Sequence, residues 1–388
     1  MICGFFIIPA GCENEPLRPT RSPVVEIMLY NRPVCHKGRP MQKIRIDLSS
    51  DTATQPTQEM RKFMSEAEVG DEQKKEDPTV NLLVEMVCDL LGKEDAIFLP
   101  SGTMCNQISF RVHCRHGDEI IMDHTAHTMN FEAGGPASLS GASIYPLVGE
   151  RGIFSAEQLE AAIRPAGNHF PRSRVVLIEQ TSNMGGGSIW PLETIEEVSI
   201  LARKNGLAMH MDGARLLNAA VATGFSAKEY AAHFDSLWID FSKGLGAPVG
   251  AALAGSKDFI QDAWRWKQQF GGAMRQAGII AAGAVYALNH HVSGLAEDHA
   301  NAKILAQGLG EIEGVDVVPA ETNIVFFHIP NLPVTAKAFN ERLMARGAQV
   351  SAPGAKKFRA VTHLDVSRAQ VEEALVIIRD VVDEILNE

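Results

Sequence analysis

The stretch WIDFSKGLGAPVGA, residues 238–251, places a lysine directly behind an apolar segment. Apolar residues dominate the segment up to residue 241, which predicts a buried β-strand that ends just before Lys243. An ammonium group is costly to bury unless a partner compensates its charge. The position of Lys243 therefore predicts that its amine has a chemical role at the edge of a β-sheet.

Apolar segments of the same kind recur before this stretch and alternate with helical patterns. They are AIFLP (96–100), EIIMD (119–123), SIYPLV (143–148), RVVLIEQ (174–180) and LAMHMD (207–212). Residues 192–206 form an amphipathic helical pattern that begins after a proline and ends at a glycine. Apolar strands separated by helices predict the α/β fold class, with a mostly parallel sheet between layers of helices.

The chain of 388 residues is long enough for a large domain and a small one. We expect the large domain over residues 41–293, with its segment 41–60 contributing to the active site. The pattern changes near residue 294, and residues 294–388 are expected to form a small C-terminal α/β domain. Residues 1–40 lack periodicity and are interpreted as a disordered leader or a start codon assigned upstream of Met41, in preference to an export signal.

Composition and charge argue against several classes of protein. The net charge is −11 and basic residues do not cluster, which argues against a nucleic-acid partner and an anionic membrane surface. The six cysteines show no disulfide or zinc spacing, so we expect a reducing compartment and a cytoplasmic protein. We predict no metal site, because no further histidine or cysteine completes the pair His124 and His127.

Polar residues follow the predicted strands at the edge where open α/β sheets bind ligands. They include Gly102 and Thr103 after the first strand, His127 after the second, Ser182 after the fourth, Asp212 and Arg215 after the fifth, and Lys243 after the sixth. Gly102 and Thr103 open a helix, whose free N–H groups favour a phosphate. Asp212 has several possible roles: a helix cap, a ribose or metal ligand, or the carboxylate that keeps a pyridinium nitrogen protonated.

Taken together, these residues match the requirements of pyridoxal 5′-phosphate (PLP). Lys243 can form a Schiff base with an aldehyde, and Asp212 can pair with a ring nitrogen. His127 offers a flat group that can stack on the ring. The glycine-containing helix start provides a phosphate cup, although such starts often serve only as helix caps. The convergence of these groups is stronger evidence than any one of them.

From about residue 46 to the C-terminus, the chain closely resembles the threonine aldolase family of PLP enzymes. The resemblance is carried by DLSSDTATQPT (47–57), FLPSGTMCNQ (98–107), HMDGARLLNA (210–219), SKGLGAPVG (242–250), GGAMRQAG (271–278) and VTHLDV (361–366), among other stretches. It implies PLP-dependent fold type I, with Lys243 bonded to the cofactor and Asp212 paired with its pyridine nitrogen. It also implies that Gly102 and Thr103 hold the phosphate, that His127 stacks on the ring and that Arg215 lies beside it.

The resemblance further implies a set of substrate contacts and an assembly. Ser50 and Arg359 would bind the substrate carboxylate, with Arg215 nearby. The family forms homodimers or homotetramers with shared active sites. Basic residues such as Lys267 and Arg275 would then be candidates to reach a neighbouring subunit's phosphate.

The implied reaction is retro-aldol cleavage of a β-hydroxy-α-amino acid, of the L-threonine or L-allo-threonine type, to glycine and an aldehyde. The chain departs from the family pattern at Ser182, where many members have a histidine that handles the substrate hydroxyl. It also departs at Ser49 and at Lys74-Lys75. The alternatives are a phenylserine-type aldolase, a β-eliminating lyase or an aminotransferase on the same scaffold, or a PLP-binding protein without catalysis.

Overall fold

The structure, a computed structural model, describes residues 44–388, and these residues belong to one compact unit. The predicted leader, residues 1–40, lies outside the described residues. The strands are β1 (Ile46–Leu48), β2 (Asp95–Leu99), β3 (Asp118–Asp123), β4 (Ser143–Leu147), β5 (Arg172–Glu179), β6 (Ala208–Gly213), β7 (Ser236–Asp240), β8 (Ala251–Gly255), β9 (Asp316–Val317), β10 (Ile324–His328), β11 (Ala348–Val350) and β12 (Lys357–Val361).

Helices separate most of these strands. They are α1 (Gln58–Ser65), α2 (Pro78–Leu91), α3 (Gly102–His113), α4 (His127–Asn130), α5 (Gly135–Ser140), α6 (Ala156–Ala162), α7 (Leu192–Lys204), α8 (Leu216–Thr223), α9 (Ala227–Ala231), α10 (Lys257–Gln269), α11 (Gly278–His290), α12 (Leu295–Gly310), α13 (Ala336–Ala345) and α14 (Arg368–Asn387). Among the described residues, no helix combines the length and the apolar composition needed to cross a membrane.

The main sheet has seven strands in the order β2-β8-β7-β6-β5-β3-β4. Strand β8 runs antiparallel to both of its neighbours, and the remaining pairs are parallel. All residues of β3 and β8 are buried, as expected for strands covered on both faces. The predicted α/β fold class with a mostly parallel sheet is confirmed.

Side-chain alternation along the central strands divides the core between the two faces of this sheet. In β5, Val176 and Ile178 pack in the same cluster as Ile195 of α7. Val175 and Leu177 point to the opposite face and cluster with Phe110 of α3. Because successive residues of a strand alternate between faces, an uninterrupted apolar run provides apolar contacts to the helices on both faces of the sheet.

A second core lies in the C-terminal part of the chain. There β12, β10 and β9 form an antiparallel sheet, and α12, α13 and α14 supply most of the remaining apolar contacts. Strand β1 pairs in parallel with β11, so Ile46 and Leu48 belong to this second core. This pairing with β11 determines where the segment after β1 lies. The boundary between the two predicted domains near residue 293 stays a prediction.

A buried ion pair links α10 to the segment before α2. The Lys267 side chain is fully buried, forms an ion pair with Glu72, and donates from Nζ to the Phe98 carbonyl oxygen at 2.7 Å. Burial lowers the pKa of Lys267, and the charge of Glu72 opposes that effect. Lys267 therefore does not extend from the surface towards another subunit, contrary to expectation. Arg275 remains exposed and pairs with Asp71 at 3.0 Å.

Removing one partner of the buried pair is expected to be costly. Glu72→Gln leaves the Lys267 ammonium without its carboxylate, so we expect the free energy of unfolding to fall by about 3–5 kcal/mol. Asp71→Asn is the matched control, because it removes an exposed pair and keeps a helix-capping side chain; a loss of at most about 1 kcal/mol is expected. Urea unfolding of both variants measures the difference, and equal losses would contradict the buried pair.

Candidate active site

A cavity of about 300 Å³ lies at the carboxyl ends of the parallel strands of the main sheet. The predicted site residues that line it are Ser50, Gly102, Thr103, His127, Asp212, Arg215, Lys243 and Arg359. They come from sequence positions more than 300 residues apart, and both the main sheet and the antiparallel C-terminal sheet contribute residues to the cavity wall. Ser182 is the one predicted site residue that does not line this cavity.

Lys243 follows β7 and extends its amine into the cavity wall. Its Nζ lies 2.8 Å from Asp240 Oδ2, and its side chain is 20% exposed. The same amine lies 5.6 Å from the centre of the Trp238 ring. Its positive charge lowers the pKa values of Asp51 and Asp212 relative to what burial alone would give. The contact with Asp240 and the nearby carboxylates of Asp51 and Asp212 compensate the positive charge of Lys243.

Asp212 ends β6 as a buried carboxylate with a fixed orientation. Its Oδ2 accepts a hydrogen bond from Asn106 Nδ2 at 2.9 Å, and its Oδ1 accepts one from the Ala214 N–H at 3.2 Å. Burial raises the pKa of Asp212, while the charges of Lys243 and His127 oppose that shift. A cationic ligand group beside Asp212 would compensate the charge that burial disfavours.

Asn106 is held in turn from its other side. Its Oδ1 accepts from Trp238 Nε1 at 2.7 Å and lies 3.1 Å from His210 Nε2. Its Nδ2 donates to Glu132 Oε1 at 2.8 Å as well as to Asp212. Helix α3 thus supplies one amide that orients carboxylates from two other elements.

His127 begins α4, and Glu132 holds its ring. The distance between His127 Nδ1 and Glu132 Oε1 is 3.1 Å. Burial lowers the pKa of His127, but the hydrogen bond to Glu132 and the charges of Asp212, Glu132 and Glu179 together raise it above its ordinary value. His127, Glu132 and Asp212 also bring ligand atoms within 4.8 Å of one another. The Asn106 amide that donates to both carboxylates links this cluster as a hydrogen-bond network.

Glu179, the last residue of β5, organises the backbone around the cavity. Its two oxygens accept the N–H groups of His127 at 2.7 Å and Asn183 at 2.9 Å. Burial and the nearby charge of Asp212 raise the pKa of Glu179 to about 7. This carboxylate connects the loop after β5 to the start of α4 and so fixes two walls of the cavity.

The start of α3 provides the predicted phosphate cup. Ser101 caps the helix by accepting from the Met104 N–H at 3.2 Å, and first-turn N–H groups have no partner within a helix. A Cβ added to Gly102 would lie 2.0 Å from the Trp238 ring. Glycine at this position is therefore required by the packing of Trp238 against the helix start, a reason the sequence alone did not suggest.

Arg215 and Asp51 form a buried bidentate pair. Both nitrogen–oxygen distances are 2.7 Å, and both side chains are at most 5% exposed. Burial would raise the pKa of Asp51, but the charge and hydrogen bonds of Arg215 hold it well below its usual range. Two of the Arg215 nitrogens are thus committed to Asp51. The pair anchors the segment that carries Ser50 beside the cavity.

Arg359 on β12 lines the cavity, and two of its three guanidinium nitrogens have hydrogen-bond partners. Its Nη1 donates to Asn183 Oδ1 at 2.7 Å, and its Nη2 donates to the Ser49 carbonyl oxygen at 3.2 Å. Its buried Nε has no hydrogen-bond partner within residues 44–388. Burial and the charge of Arg215 lower the pKa of Arg359. This guanidinium can bind a substrate carboxylate beside Ser50.

The side chain of Ser182 points away from the cavity. Its Oγ accepts the Gly185 N–H at 3.2 Å and lies 2.1 Å from where a Cβ on Gly152 would be. Ser182 lines a small void with Thr125 and Gly152 instead. Its neighbour Asn183 lines the main cavity and contacts Arg359. A substrate contact by Ser182 stays a prediction that its placement does not support.

Known proteins match this chain over most of its length. The family model described as beta-eliminating lyase matches residues 47–331. The low specificity L-threonine aldolase of Escherichia coli (strain K12) is 42% identical over 329 residues, which cover 84% of this chain and 96% of that protein. The chain belongs to the low-specificity L-threonine aldolase family. The predicted family is therefore confirmed.

Solved structures agree with this family assignment at the level of the fold. A putative L-allo-threonine aldolase from Listeria monocytogenes EGD-E has a TM-score of 0.74 at 22% identity, covering 89% of this chain and 97% of that chain. A high-resolution structure of SPT with PLP has a TM-score of 0.68 at 16% identity, with 88% of each chain covered. This threonine aldolase family member thus has the predicted PLP fold type I architecture.

Several residues of the site were not singled out from the sequence. They are Asp51, Asn106, Glu132, Glu179, Asn183 and Asp240. Asp51 and Asn106 lie in the stretches 47–57 and 98–107 that carry the family resemblance, so their neighbourhood was signalled but not their roles. Their importance comes from burial and hydrogen bonding across the fold, which no sequence spacing reveals.

Asp298 on α12 is a further buried carboxyl, 5% exposed, near Asp51. Burial, followed by the charges of Asp51 and Glu297, raises its pKa from 3.8 to about 7. Because the folded protein binds this proton more tightly than the unfolded chain, the associated stability is complete below pH 3.8. That stability is lost as the pH rises through about 7.

The variant Asp298→Asn tests this dependence on pH. The amide stays neutral, so we expect the loss of unfolding free energy between pH 5 and pH 8 to shrink by on the order of 2 kcal/mol. Denaturant titrations at both pH values measure it, with Glu313→Gln as the exposed control that should change little. Equal pH dependence in the wild type and Asp298→Asn would refute the raised pKa.

Proposed function

We propose that this protein cleaves L-threonine and L-allo-threonine to glycine and acetaldehyde, with PLP as its cofactor. The carrying observation is that the amine of Lys243, the buried carboxylate of Asp212 and the guanidinium of Arg359 line one cavity. The first two groups are those that PLP requires, and the third suits an amino-acid carboxylate. The 42% identity to a low specificity L-threonine aldolase supports the substrate class.

The cavity residues fit PLP in chemistry as well as position. Lys243 would hold the cofactor covalently, and Asp212 would accept a hydrogen bond from the protonated ring nitrogen and so keep it protonated. The N–H groups at Gly102 and Thr103 would hold the phosphate, and the His127 ring would lie against the cofactor ring. When bound, PLP supplies an electron sink for the carbanion left by cleavage of the Cα–Cβ bond. Asp212 suits this role because it is buried and, within residues 44–388, forms no ion pair.

Arg359 and Ser50 would orient the substrate. A guanidinium binds a carboxylate in a defined plane, and this orientation determines which bond of the substrate aligns for cleavage. Asn183 and the Ser49 carbonyl oxygen hold Nη1 and Nη2 of Arg359, so the direction of the free Nε is fixed. Such preorganisation reduces the entropy lost on binding.

His127 is the residue proposed to accept the proton of the substrate hydroxyl. Its Nδ1 is held by Glu132, which leaves Nε2 for a ligand. The nearby carboxylates raise the pKa of His127, which makes the imidazole a stronger base. The serine at position 182 points away from the cavity, so the imidazole of His127 takes on this task in our proposal.

A second cavity of about 340 Å³ adjoins the first and suits the β-substituent of the substrate. It shares His127, Asn183 and Arg359 with the main cavity. Its other lining residues include Phe131, Met184 and Pro353, which are apolar. An apolar space of this size accommodates a methyl group and also a phenyl ring, so we propose that bulky β-hydroxy amino acids are accepted too.

We further propose a homodimer or homotetramer with shared active sites, located in the cytoplasm. The exposed Arg275 side chain, 62% accessible, is available to contact a second copy. The described cysteines, Cys88, Cys105 and Cys114, are free thiols, as expected in a reducing compartment.

Binding of PLP is tested by the colour of the purified protein. The wild type is expected to show the visible absorption of lysine-bound PLP, and Lys243→Ala is expected to lose it because the covalent attachment is gone. Lys257→Ala, an exposed lysine on α10, is the matched control and should keep the band. A colourless wild-type protein after incubation with PLP would overturn the PLP proposal.

The reaction is tested with L-threonine, L-allo-threonine and phenylserine as substrates. We expect acetaldehyde from the first two and benzaldehyde from the third, because the adjoining cavity has room for both substituents. Coupled alcohol dehydrogenase or chromatography measures the aldehydes and glycine.

The variant Arg359→Lys keeps the charge but loses the planar fork, so kcat/KM is expected to fall roughly 10–100-fold. A PLP-loaded wild type that releases no aldehyde from any substrate would exclude the aldolase. Release of ammonia and a keto acid would indicate a β-eliminating lyase instead.

A further inference from the structure

The carboxylates around the main cavity differ in what their oxygens contact. Both oxygens of Asp212, Glu132 and Glu179 accept hydrogen bonds from amide or backbone N–H groups. Asp51, behind the cavity, is held by both of its oxygens on Arg215. Each of these carboxylates is therefore oriented by donors other than the Lys243 amine.

Asp240 is arranged differently. Its Oδ1 accepts both the N–H and the hydroxyl of Ser242, each at 2.8 Å. Its Oδ2 lies 2.8 Å from Lys243 Nζ. One oxygen is thus anchored to the turn that follows β7, and the other contacts the amine to which PLP would be attached.

The local chain explains why this contact forms. Asp240 is the last residue of β7, and Ser242 lies in the turn that separates the strand from Lys243. The Ser242 hydrogen bonds fix the plane of the carboxylate, as in an Asx-turn. With the Asp240 side chain only 7% exposed and that of Lys243 only 20% exposed, solvent screens the pair weakly.

We propose that Asp240 is a positioning residue for Lys243. Its carboxylate holds the ε-ammonium at the cavity wall whenever that nitrogen is not bonded to PLP, before cofactor capture and while the amino-acid substrate is bound. This role rests on the proposed PLP-dependent function. It keeps the freed amine out of the space that the substrate needs, and it returns the amine to one defined position.

A merely structural role for Asp240 predicts a different outcome from a positioning role. If Asp240 only shaped the turn through Ser242, its loss would alter stability but not the reactivity of the Lys243 amine. If it holds the amine, its loss would free the nitrogen from the cavity wall and expose it to reagents. The reactivity of one amine in the protein without PLP therefore separates the two roles.

The test is the rate at which acetic anhydride modifies Lys243 in the full-length chain freed of PLP, followed by peptide mass spectrometry at pH 7.5. Asp240→Asn keeps the size of the side chain but not its charge, and we expect modification to become roughly threefold to tenfold faster. Asp240→Glu keeps the carboxylate and should remain closer to the wild-type rate. Lys337, whose side chain is 86% exposed, serves as the internal reference in the same digest.

The turn contact has its own control. Ser242→Ala removes the hydroxyl but leaves the backbone N–H as a donor, so a smaller acceleration than in Asp240→Asn is expected. Equal Lys243 rates in the wild type and Asp240→Asn, after correction by Lys337, would overturn the proposal even if PLP binds. If Asp240→Asn does not fold, Asp240→Ser takes its place: it also removes the carboxylate, so faster Lys243 modification supports the proposal and a wild-type rate overturns it.

Because neither PLP nor substrate is present in the labelling experiment, failure of the proposed cofactor or reaction leaves its result intact. The rate of PLP capture provides a second readout. Capture requires an amine that has left Asp240, so Asp240→Asn is expected to take up PLP faster than the wild type at pH 7.5 by a similar factor. Unchanged capture together with unchanged labelling would show that Oδ2 does not control the amine.

Discussion

The structure depends on compensating the negative charge that it buries around one cavity. Carboxylates end or follow β5, β6 and β7 within a space of about 300 Å³, and an unpaired buried carboxylate would be strongly unfavourable. Each carboxylate has a different kind of partner. Asp212 accepts a hydrogen bond from the Asn106 amide, Glu179 accepts hydrogen bonds from backbone N–H groups, and Asp240 forms an ion pair with Lys243. These contacts fix the geometry of the cavity without any ligand.

The same contacts connect parts of the chain that are distant in sequence. The Asp51–Arg215 pair joins the N-terminal segment to the end of β6. Pairing of β1 with β11 places that segment in the C-terminal core, and Arg359 reaches from β12 to Asn183 after β5. The substrate side of the cavity is thus assembled from both cores. A change in the packing of the C-terminal core would move Arg359 relative to Lys243.

Much of the fold and part of the site were predictable because they depend on local patterns. Uninterrupted apolar runs predict strands buried on both faces, and in the structure β5 and β7 are such strands. Since parallel strands end at the same edge, Asp212 and Lys243 were expected to meet there, and they line one cavity. The placement of Ser182 and of Lys267 was not predictable in this way. Whether a side chain faces a cavity, a void or a buried partner depends on backbone geometry and on the residues that the fold packs beside it.

The sequence by itself determined the order of strands and helices, the family, and the residues that follow each strand. Those properties depend on periodicity and on motifs that are contiguous in the chain. Only the tertiary structure decided that Gly102 is needed for Trp238, that Lys267 is buried against Glu72, and that Asp240 holds Lys243. These are contacts between side chains from separate elements, or across a turn whose shape is fixed by packing. Their existence depends on distances and burial, which a linear pattern does not contain.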